Sequence, residues 1–444
     1  MFLGMENESV FLKPFFTQLN NSNVKYGVMR NYKGLPSSLG KSDLDILISN
    51  EDIQLFYNIF NKVLKSTNGV IIASSKGQVP KICVLGGEDN CFYGIMFDVH
   101  HGIIPYKSAD IFPVKFVFSR LNTYNKVKVF NDNDAIFIAF LKEIFYNKRC
   151  EKYFIEASMA WELNREIYLK ELNKKYSKRF ILLLDDVLSK DSYDFLKVKK
   201  LGVLGAKELT SGLSNKLKNI HSFFGKVNRF RHPFGYTITF LGVDGSGKTT
   251  IINNITPLLT EAVHNEVHYE HMRPNFLPSI ASILKKEEHV GTVANPHEKK
   301  ESGFIGSIFR LFYYSMDYII GYWLKVYPSL VRKPSLWIFD RYFYDYLIDP
   351  KRGRIKLPSW IIKMIKVFVP SPNLIICLGG KPEILYDRKK ELPLKEVKAQ
   401  VLTLKAFSNK VKNAYWIDTS KTIETTINEV VELIKKNMNE RLNK

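Results

Sequence analysis

The sequence predicts an α/β protein whose two halves are built differently and are joined by a helical stretch. From Tyr236 onward, apolar strand-like runs alternate with amphipathic segments, which is typical of a three-layer domain around a parallel sheet. Up to about Lys128, short β-rich runs alternate with turns, which indicates an α+β domain. Between these regions the apolar residues recur at helical spacing. We therefore expect three segments, 1–130, 131–232 and 233–444.

The first two segments can be divided into elements. Five β-rich runs are expected to be strands, at residues 24–30, 44–49, 81–85, 92–99 and 114–118. Asn131 and Asp132 are residue types that cap helix N-termini, and they precede an apolar helical pattern that reaches about residue 145. A second helical pattern covers 151–172. We expect this helical part to be an extension of the first domain.

Composition limits the classes of protein. With 45% hydrophobic and 25% charged residues among 444, the chain is typical of a globular protein. No run reaches the ~18 apolar residues that a membrane span needs, and the first residues lack the pattern of a signal peptide. The four cysteines have no zinc-ligand spacing, so we expect buried thiols in a cytoplasmic protein. They are Cys83, Cys91, Cys150 and Cys377.

The net charge of +21 bears on possible partners. An excess of Lys and Arg suits phosphorylated ligands, nucleic acid or an anionic membrane surface, although a generally basic surface also explains much of it. No nucleic-acid-binding motif is recognisable, so we expect a small-molecule partner rather than nucleic acid. The sequence does not indicate the oligomeric state.

The junction before the last segment is basic and amphipathic. Between residues 213 and 231, apolar residues recur at helical spacing and five Lys or Arg residues lie among them. Such a helix can make a peripheral contact with an anionic membrane, or it can dock one domain on the other. Because the pattern is short and ends at Pro233, docking is the favoured interpretation.

The most specific motif is Gly242-Val-Asp-Gly-Ser-Gly-Lys-Thr249, which follows a β-branched run and precedes an amphipathic segment. A strand, a glycine loop and a helix in this order direct backbone N–H groups and a helix N-terminus toward a phosphate chain. We expect Lys248 to reach the terminal phosphates and the Thr249 hydroxyl to ligate Mg²⁺. The residues expected to hold ATP are Gly242, Asp244, Gly245, Ser246, Gly247, Lys248, Thr249 and Thr250.

A second candidate group follows the apolar run 336–339. Asp340 stands where a strand beside the phosphate loop ends, which is where Mg²⁺ or its water needs a carboxylate. Arg341 offers a bidentate fork to a phosphate. The alternative is a structural Asp–Arg pair, but the upstream glycine loop favours a catalytic role.

With these motifs the segment from Tyr236 to Lys444 resembles the thymidylate kinase family. The resemblance is carried by the glycine loop through Thr250 and by Asp340-Arg341-Tyr342. It implies that Asp244 faces the acceptor, that Asp340 assists metal and proton handling, and that Arg341 holds an acceptor phosphate. It also implies a basic lid at Arg388, Lys389 and Lys390, which would bring positive charge to the γ-phosphate.

The chain departs from the family pattern at two places. An Arg-Glu-Pro segment is replaced by Arg273-Pro274-Asn275, in which Arg273 is still expected to bind an anionic substrate group. A strand-closing Leu-Asp is replaced by Leu378-Gly379. The segment 340–352 resembles instead a divergent thymidylate-kinase-like branch that is often found beside bacterial surface-polysaccharide genes, which leaves the acceptor open.

The N-terminal half has its own group of carboxylates. Asp43 and Asp45 stand at i and i+2 on a predicted strand, so both lie on one face and suit a pair of Mg²⁺ ions. Asp98 ends another apolar run, and it joins the pair if the two strands are neighbours. This pattern resembles the polymerase-β-like nucleotidyltransferase fold over roughly residues 10–205. The Gly-Gly or Gly-Ser of that fold is missing, and Arg30 and Lys41 are candidate phosphate ligands.

Together these features predict a two-part enzyme. We expect ATP- and Mg²⁺-dependent phosphoryl transfer to a small phosphorylated or sugar-like acceptor, with nucleotidyl transfer by the first domain if that domain is active. The resemblance implies a place in surface-polysaccharide precursor synthesis. The alternatives are a nucleoside monophosphate kinase and a nucleotide-gated regulatory or defence protein without metabolite turnover.

Overall fold

The computed structural model describes residues 7–190, 192–211, 227, 229–278 and 302–442. In the N-terminal half, the strands are β1 Tyr26–Val28, β2 Leu44–Ile48, β3 Val70–Ser74, β4 Lys81–Gly86, β5 Tyr93–His101, β6 Pro105–Tyr106, β7 Ala109–Asp110, β8 Asn122–Tyr124 and β9 Val127–Val129. The helices there are α1 Ser9–Asn21, α2 Ile53–Ser66 and α3 Val114–Ser119.

Seven of these strands form one mixed sheet in the order β3-β4-β5-β2-β1-β9-β8. Strands β2 and β5 are parallel neighbours, and their register places Asp45 opposite Asp98. One face of the sheet packs on α1 and α2 through a core that includes Phe11, Phe60 and Phe97. The sheet therefore brings the two predicted carboxylate-bearing strands together.

The strand predicted at 114–118 is wrong, because this run forms the short helix α3. Pro113, which has no N–H for a sheet, stands at its N-cap, and Val117 is the buried residue of the helix. Packing of this one side chain has overridden the β propensity of the surrounding Val and Phe residues.

The helical extension follows as α4 Asp132–Asn147, α5 Phe154–Leu172, α6 Lys178–Leu188 and α7 Phe195–Thr210. Asn131 caps α4 as predicted, since its side chain accepts a hydrogen bond from the backbone N–H of Asn133. These helices share a core with the end of the first domain. This core includes Phe112 from the first domain and Tyr168 from α5.

The C-terminal half contains β10 Tyr236–Gly242, β11 Val267–His271, β12 Leu336–Asp340, β13 Leu374–Gly379 and β14 Ala414–Asp418. Its helices are α8 Lys248–Ala262, α9 Phe304–Gly321, α10 Tyr327–Arg332, α11 Asp345–Ile348, α12 Ser359–Lys366, α13 Pro382–Arg388, α14 Leu394–Lys410 and α15 Ile423–Leu442. A π-helical turn, Tyr322–Val326, separates α9 from α10.

These five strands form an all-parallel sheet in the order β11-β12-β10-β13-β14. Apolar cores lie on both faces of this sheet, which gives the three layers predicted from the alternating pattern. Strand β10 is central, and it leads directly into the glycine loop. The predicted fold class, an α/β protein with a parallel C-terminal sheet and a mixed N-terminal sheet, is confirmed.

Helices α8 and α15 lie between the two sheets. One core contains Cys83 and Met96 from the N-terminal sheet, Ile255 from α8, Ile434 from α15 and Ile238 from the C-terminal sheet. A single helical layer thus buries one face of each sheet. The predicted segment boundary at 232/233 stays a prediction, but the halves on either side of it share this core.

The closest approach in the shared layer is at Gly94 of β5. A Cβ atom at this position would lie 2.6 Å from the backbone N of Ala262 and 2.6 Å from the carbonyl oxygen of Leu258, both in α8. Distances below about 3 Å are repulsive, so the helix can pack here only because residue 94 has no side chain.

Helix α15 binds to the same layer through two of its cationic side chains. Lys435 is only 2% exposed, and its ammonium group donates a 2.9 Å hydrogen bond to the carbonyl oxygen of Gly87. Arg441 donates to the carbonyl oxygens of Gly235 at 2.6 Å and Phe234 at 3.1 Å. Helix α15 therefore contacts both the N-terminal sheet and the chain that enters β10.

Three further expectations concern the cysteines, membrane-spanning helices and the junction helix. Cys83, Cys150 and Cys377 are buried thiols, but Cys91 is exposed and corrects the expectation for that residue. In the described ranges, each helix is too short or too polar to span a membrane. The junction helix predicted at 213–231 lies outside the described residues except at its end, where Phe230 contacts Tyr327 with ring centroids 5.4 Å apart.

Replacing Gly94 with Val is expected to destabilise the folded protein by about 2–3 kcal/mol, because the added side chain overpacks the contact with α8. Urea unfolding of the full chain measures this change. Gly306→Ala is the control, since Gly306 is an exposed residue in the first turn of α9 and Ala favours helix. Equal midpoints for Gly94→Val and the unmodified protein would contradict the close approach.

Glu261→Gln is expected to stabilise the protein at pH 8 and to change little at pH 5. Burial and then the carboxylate of Glu8 raise the pKa of Glu261 to about 7. The folded state therefore binds its proton more tightly than the unfolded state does, and that stability is lost as pH rises through about 7. Because the side chain is partly exposed, we expect a gain of about 1 kcal/mol at pH 8.

Thermal unfolding at the two pH values measures this effect. Glu162→Gln, on an exposed face of α5, is the matched control. A gain for Glu261→Gln that is equal at pH 5 and pH 8 would show that the carboxyl proton is not its cause.

Candidate functional site

The glycine loop between β10 and α8 has the backbone conformation that its glycines permit. Gly245 and Gly247 have φ values of +79° and +76°, a region that other residues rarely adopt. A Cβ at Gly245 would also lie 2.3 Å from the carbonyl oxygen of Leu385 in α13. Turns of this kind before a helix form concave anion sites, so the local structure agrees with the predicted phosphate loop.

Lys248 is the cation inside this loop. Its Nζ donates to the carbonyl oxygens of Gly242 at 2.9 Å and Val243 at 3.2 Å. Burial, and then repulsion by the Arg341 guanidinium, lower the pKa of Lys248 to about 7. The ammonium group is therefore short of negative charge, which a phosphate chain would supply.

Two polar atoms beside Lys248 are buried without a hydrogen-bond partner in the described part of the chain. They are Oγ of Ser246 and Oδ1 of Asp340. The other carboxylate oxygen of Asp340 accepts a 3.2 Å hydrogen bond from the Tyr269 hydroxyl. Because buried polar atoms in proteins are rarely left unpaired, both atoms point to a ligand.

ATP with Mg²⁺ fits this donor set. An orphaned carboxylate oxygen suits a hard cation or its water, and the exposed hydroxyls of Thr249 and Thr250 stand at the start of α8. The predicted roles of Lys248, Thr249 and Asp340 remain predictions, and the geometry places all three around one loop.

Arg341 lies at the centre of a buried charge network. Its Nη1 donates to Oδ2 of Asp345 at 2.6 Å and its Nη2 donates to Oδ1 of Asp244 at 2.9 Å. The residue is only 6% exposed, and its φ of +75° is unusual for a side chain of this size. The flanking carboxylates raise the pKa of Arg341 despite its burial, so the guanidinium stays charged.

A second arginine, Arg352, contacts the same carboxylate of Asp244. It is also 3.3 Å from Asp349. Burial would raise the pKa of Asp244, but Arg341 and Arg352 lower it. Sequence reasoning missed Asp345 and Arg352, because Arg341 lies in a turn before α11 and no helical spacing relates these residues.

Two other predicted cations, Arg273 and Arg388, have hydrogen-bond partners outside the glycine loop. Arg273 donates to the buried Asp317 at 3.1 Å and its guanidinium lies 4.9 Å from the Tyr314 ring centre. Arg388 donates to the carbonyl oxygen of Thr419 at 2.7 Å, at the end of β14.

Of the predicted lid cations, Lys389 is the one against the glycine loop. Its Cβ would lie 3.4 Å from a Cβ at Gly245, while its ammonium group pairs with Glu391 at 3.0 Å. Lys390 lies over the Tyr386 ring at 5.9 Å.

The N-terminal carboxylates form a second candidate site. Asp43, Asp45 and Asp98 each place an oxygen atom within 4.8 Å of the others, and we call this group the carboxylate triangle. Asp43 and Asp45 are 8% and 3% exposed. The strands that carry Asp45 and Asp98 are neighbours, which is the condition under which Asp98 joins the pair. Three converging carboxylates suit hard divalent cations, and the metal role stays a prediction.

Arg30, Lys81 and His100 are among the basic groups around the carboxylate triangle. Nε of Arg30 lies 2.5 Å from Oδ2 of Asp45, and Nζ of Lys81 lies 2.8 Å and 2.9 Å from the two oxygens of Asp98. Nε2 of His100 is 3.8 Å from Oδ1 of Asp45, which is too far for a hydrogen bond.

The pKa values of Asp43 and Asp45 are shifted in opposite directions. Burial, and then repulsion by Asp45 and Asp98, raise the pKa of Asp43. Burial alone would raise the pKa of Asp45 as well, but His100 and Arg30 lower it. Asp45 is therefore the carboxylate held charged, and Asp43 is the one that gains most from a bound cation.

Arg341→Ala is expected to cost about 3–5 kcal/mol of folding free energy, because it leaves Asp244 and Asp345 buried without their shared cation. Arg352→Ala is expected to cost about 1 kcal/mol, since this side chain is more exposed and Asp244 keeps Arg341. Urea unfolding without ligand at neutral pH measures both losses. A loss for Arg352→Ala as large as that for Arg341→Ala would contradict the order of importance inferred from burial.

Among the solved structures that this chain resembles is the thymidylate kinase of Ehrlichia chaffeensis. It is 17% identical, it covers 45% of this chain and 98% of that chain, and the TM-score is 0.32. No family model and no curated protein matches the sequence.

Proposed function

We propose that the C-terminal half is an ATP- and Mg²⁺-dependent phosphotransferase that acts on a small anionic acceptor. Asp244 supports this most directly. It belongs to the glycine loop and also binds Arg341 and Arg352, so it links the phosphate-binding loop to two forked cations. A loop that only bound a triphosphate would need neither arginine.

Each group has a separate part in this reaction. Lys248 neutralises the phosphate chain, and Arg341 with Arg352 offers charge-assisted hydrogen bonds to the acceptor. Asp244 keeps the two guanidinium groups from repelling each other before the acceptor binds. Bound Mg²⁺, held through Thr249 and Asp340, supplies positive charge where charge develops on the transferred group.

The acceptor in this proposal is phosphorylated or sugar-like, and the pathway is surface-polysaccharide precursor synthesis. Two arginines on one carboxylate favour a phosphate or carboxylate on the acceptor. The resemblance of the segment 340–352 to the polysaccharide-associated branch suggests the pathway. A nucleoside monophosphate acceptor fits the same cations and is the alternative.

A second function is proposed for the N-terminal half, namely nucleotidyl transfer at the carboxylate triangle. The observation that favours it is the convergence of three carboxylates beside His100, whose Nε2 is buried without a hydrogen-bond partner among the described residues. Two divalent cations held there would bind a triphosphate, and a third carboxylate would orient the incoming hydroxyl.

Labelled ATP tests both functions. The full chain is incubated with small-metabolite pools and with ATP labelled at the α- or the γ-phosphate. We expect γ-label in a product, and Lys248→Ala is expected to reduce its transfer at least ~100-fold, because the loop loses its cation. If the first domain is active, α-label also reaches a product, and Asp43→Asn removes only that transfer.

Two exposed sites supply matched controls, Lys356→Ala and Asp89→Asn, which are expected to change neither transfer. Transfer of neither label would reject both enzymatic functions in favour of a nucleotide-gated switch. Loss of γ-transfer in Asp43→Asn, or of α-transfer in Lys248→Ala, would contradict the assignment of one reaction to each site.

A further inference from the structure

The carboxylate triangle carries its own counter-ions in a regular order across the sheet. Strands β4, β5, β2 and β1 are consecutive neighbours. Lys81 is the first residue of β4, Asp98 lies on β5, Asp45 lies on β2 and Arg30 follows β1. The outer two strands therefore supply cations to the carboxylates of the inner two.

The acids and the cations differ in their freedom to move. The side chains of Asp43, Asp45 and Asp98 are 10%, 4% and 14% exposed, whereas those of Arg30 and Lys81 are 52% and 39% exposed. Long cationic side chains at a surface change partners at little cost, while buried carboxylates cannot leave. The cations are the part of the cluster that can be displaced.

His100 indicates that the present pairing is incomplete. Its residue is 1% exposed, its Nδ1 is 3.3 Å from the carbonyl oxygen of Ile103 and its Nε2 has no hydrogen-bond partner in the described part of the chain. Nε2 faces the Asp45 carboxylate from 3.8 Å away. A buried ring nitrogen without a partner beside these carboxylates indicates that a further group completes the cluster.

We propose that Arg30 and Lys81 are the phosphate-binding groups of this site and that they exchange partners when it is filled. Divalent cations take over the carboxylates, and the two released side chains bind the phosphate oxygens of a triphosphate. The inference rests on the proposed nucleotidyl-transfer function of the N-terminal half. No covalent bond changes in this exchange, which only redistributes ionic contacts.

The exchange has a consequence for binding. A metal ion alone competes with Arg30 and Lys81 for the same oxygens, so it binds weakly. A triphosphate gives the displaced cations new partners, and metal and triphosphate therefore strengthen each other's binding. By linkage, the strengthening is equal in both directions.

Lys81→Gln tests this inference because the expected sign reverses between two ligands. The variant is made in the full chain with Lys248→Ala, which weakens the glycine loop as a competing triphosphate site. Electron paramagnetic resonance follows Mn²⁺ alone, and calorimetry follows Mn²⁺ with inorganic tripolyphosphate. We expect Mn²⁺ alone to bind about 3–10-fold more tightly than in the Lys248→Ala parent, and the Mn²⁺–tripolyphosphate complex about 10-fold more weakly.

Two further variants make the result specific. Lys81→Arg keeps the positive charge and is expected to restore both affinities to within about threefold. Lys25→Gln removes a surface cation that pairs with Glu51 rather than with the triangle, and it is expected to change neither affinity. Thermal unfolding checks that each variant is folded.

Every other pattern overturns the inference. Tighter Mn²⁺ binding with unchanged tripolyphosphate binding makes Lys81 a structural counter-ion only, and the proposed metal site survives. Unchanged Mn²⁺ binding, or weakening of both ligands, shows that the lysine does not compete with the metal. If the parent binds Mn²⁺ neither alone nor with tripolyphosphate, the proposed function of this half fails together with the inference.

Discussion

The packing of α8 between two sheets is the constraint on which the rest of the structure depends. The helix must begin at the glycine loop, because Lys248 is its first residue, and it must pass within contact distance of β5 at Gly94. Its position therefore determines both where the phosphate loop lies and how the N-terminal sheet is oriented. A change that shifts this helix acts on both halves, since they bury their apolar faces on the same side chains.

The two candidate sites handle charge in opposite ways. In the C-terminal site, the buried ammonium group of Lys248 donates to two carbonyl oxygens rather than to a carboxylate, which favours an anion. In the N-terminal site, Asp45 lies among carboxylates that two peripheral cations only partly compensate, which favours a metal ion. A metal-bound triphosphate suits both sites, because its metal ion supplies positive charge and its phosphate groups supply negative charge.

The sequence predicts those features that depend on residues close together in the chain. The loop conformation agrees with its glycines because glycine adopts the positive φ values at 245 and 247 without steric cost. Asn131 is predicted as a cap because its side chain accepts a hydrogen bond from a backbone N–H. The pairing of Asp45 with Asp98 follows from strand patterns once the strands are assumed to be neighbours. By contrast, Arg352 and Lys81 reach their partners through tertiary contacts that leave no periodic pattern. The helix at 114–119 was missed for the same reason, since its conformation depends on what covers Val117.

The buried contacts of α15 have a consequence for how this protein is made. A ribosome produces the N-terminal sheet hundreds of residues before it produces Lys435, whose ammonium group binds the carbonyl of Gly87. Until α15 emerges, the face of β3 on which it packs has no cover, so the nascent chain exposes an apolar surface that can aggregate. Completion of the first domain therefore waits until α15 has been synthesised, although the strands of that domain are synthesised much earlier.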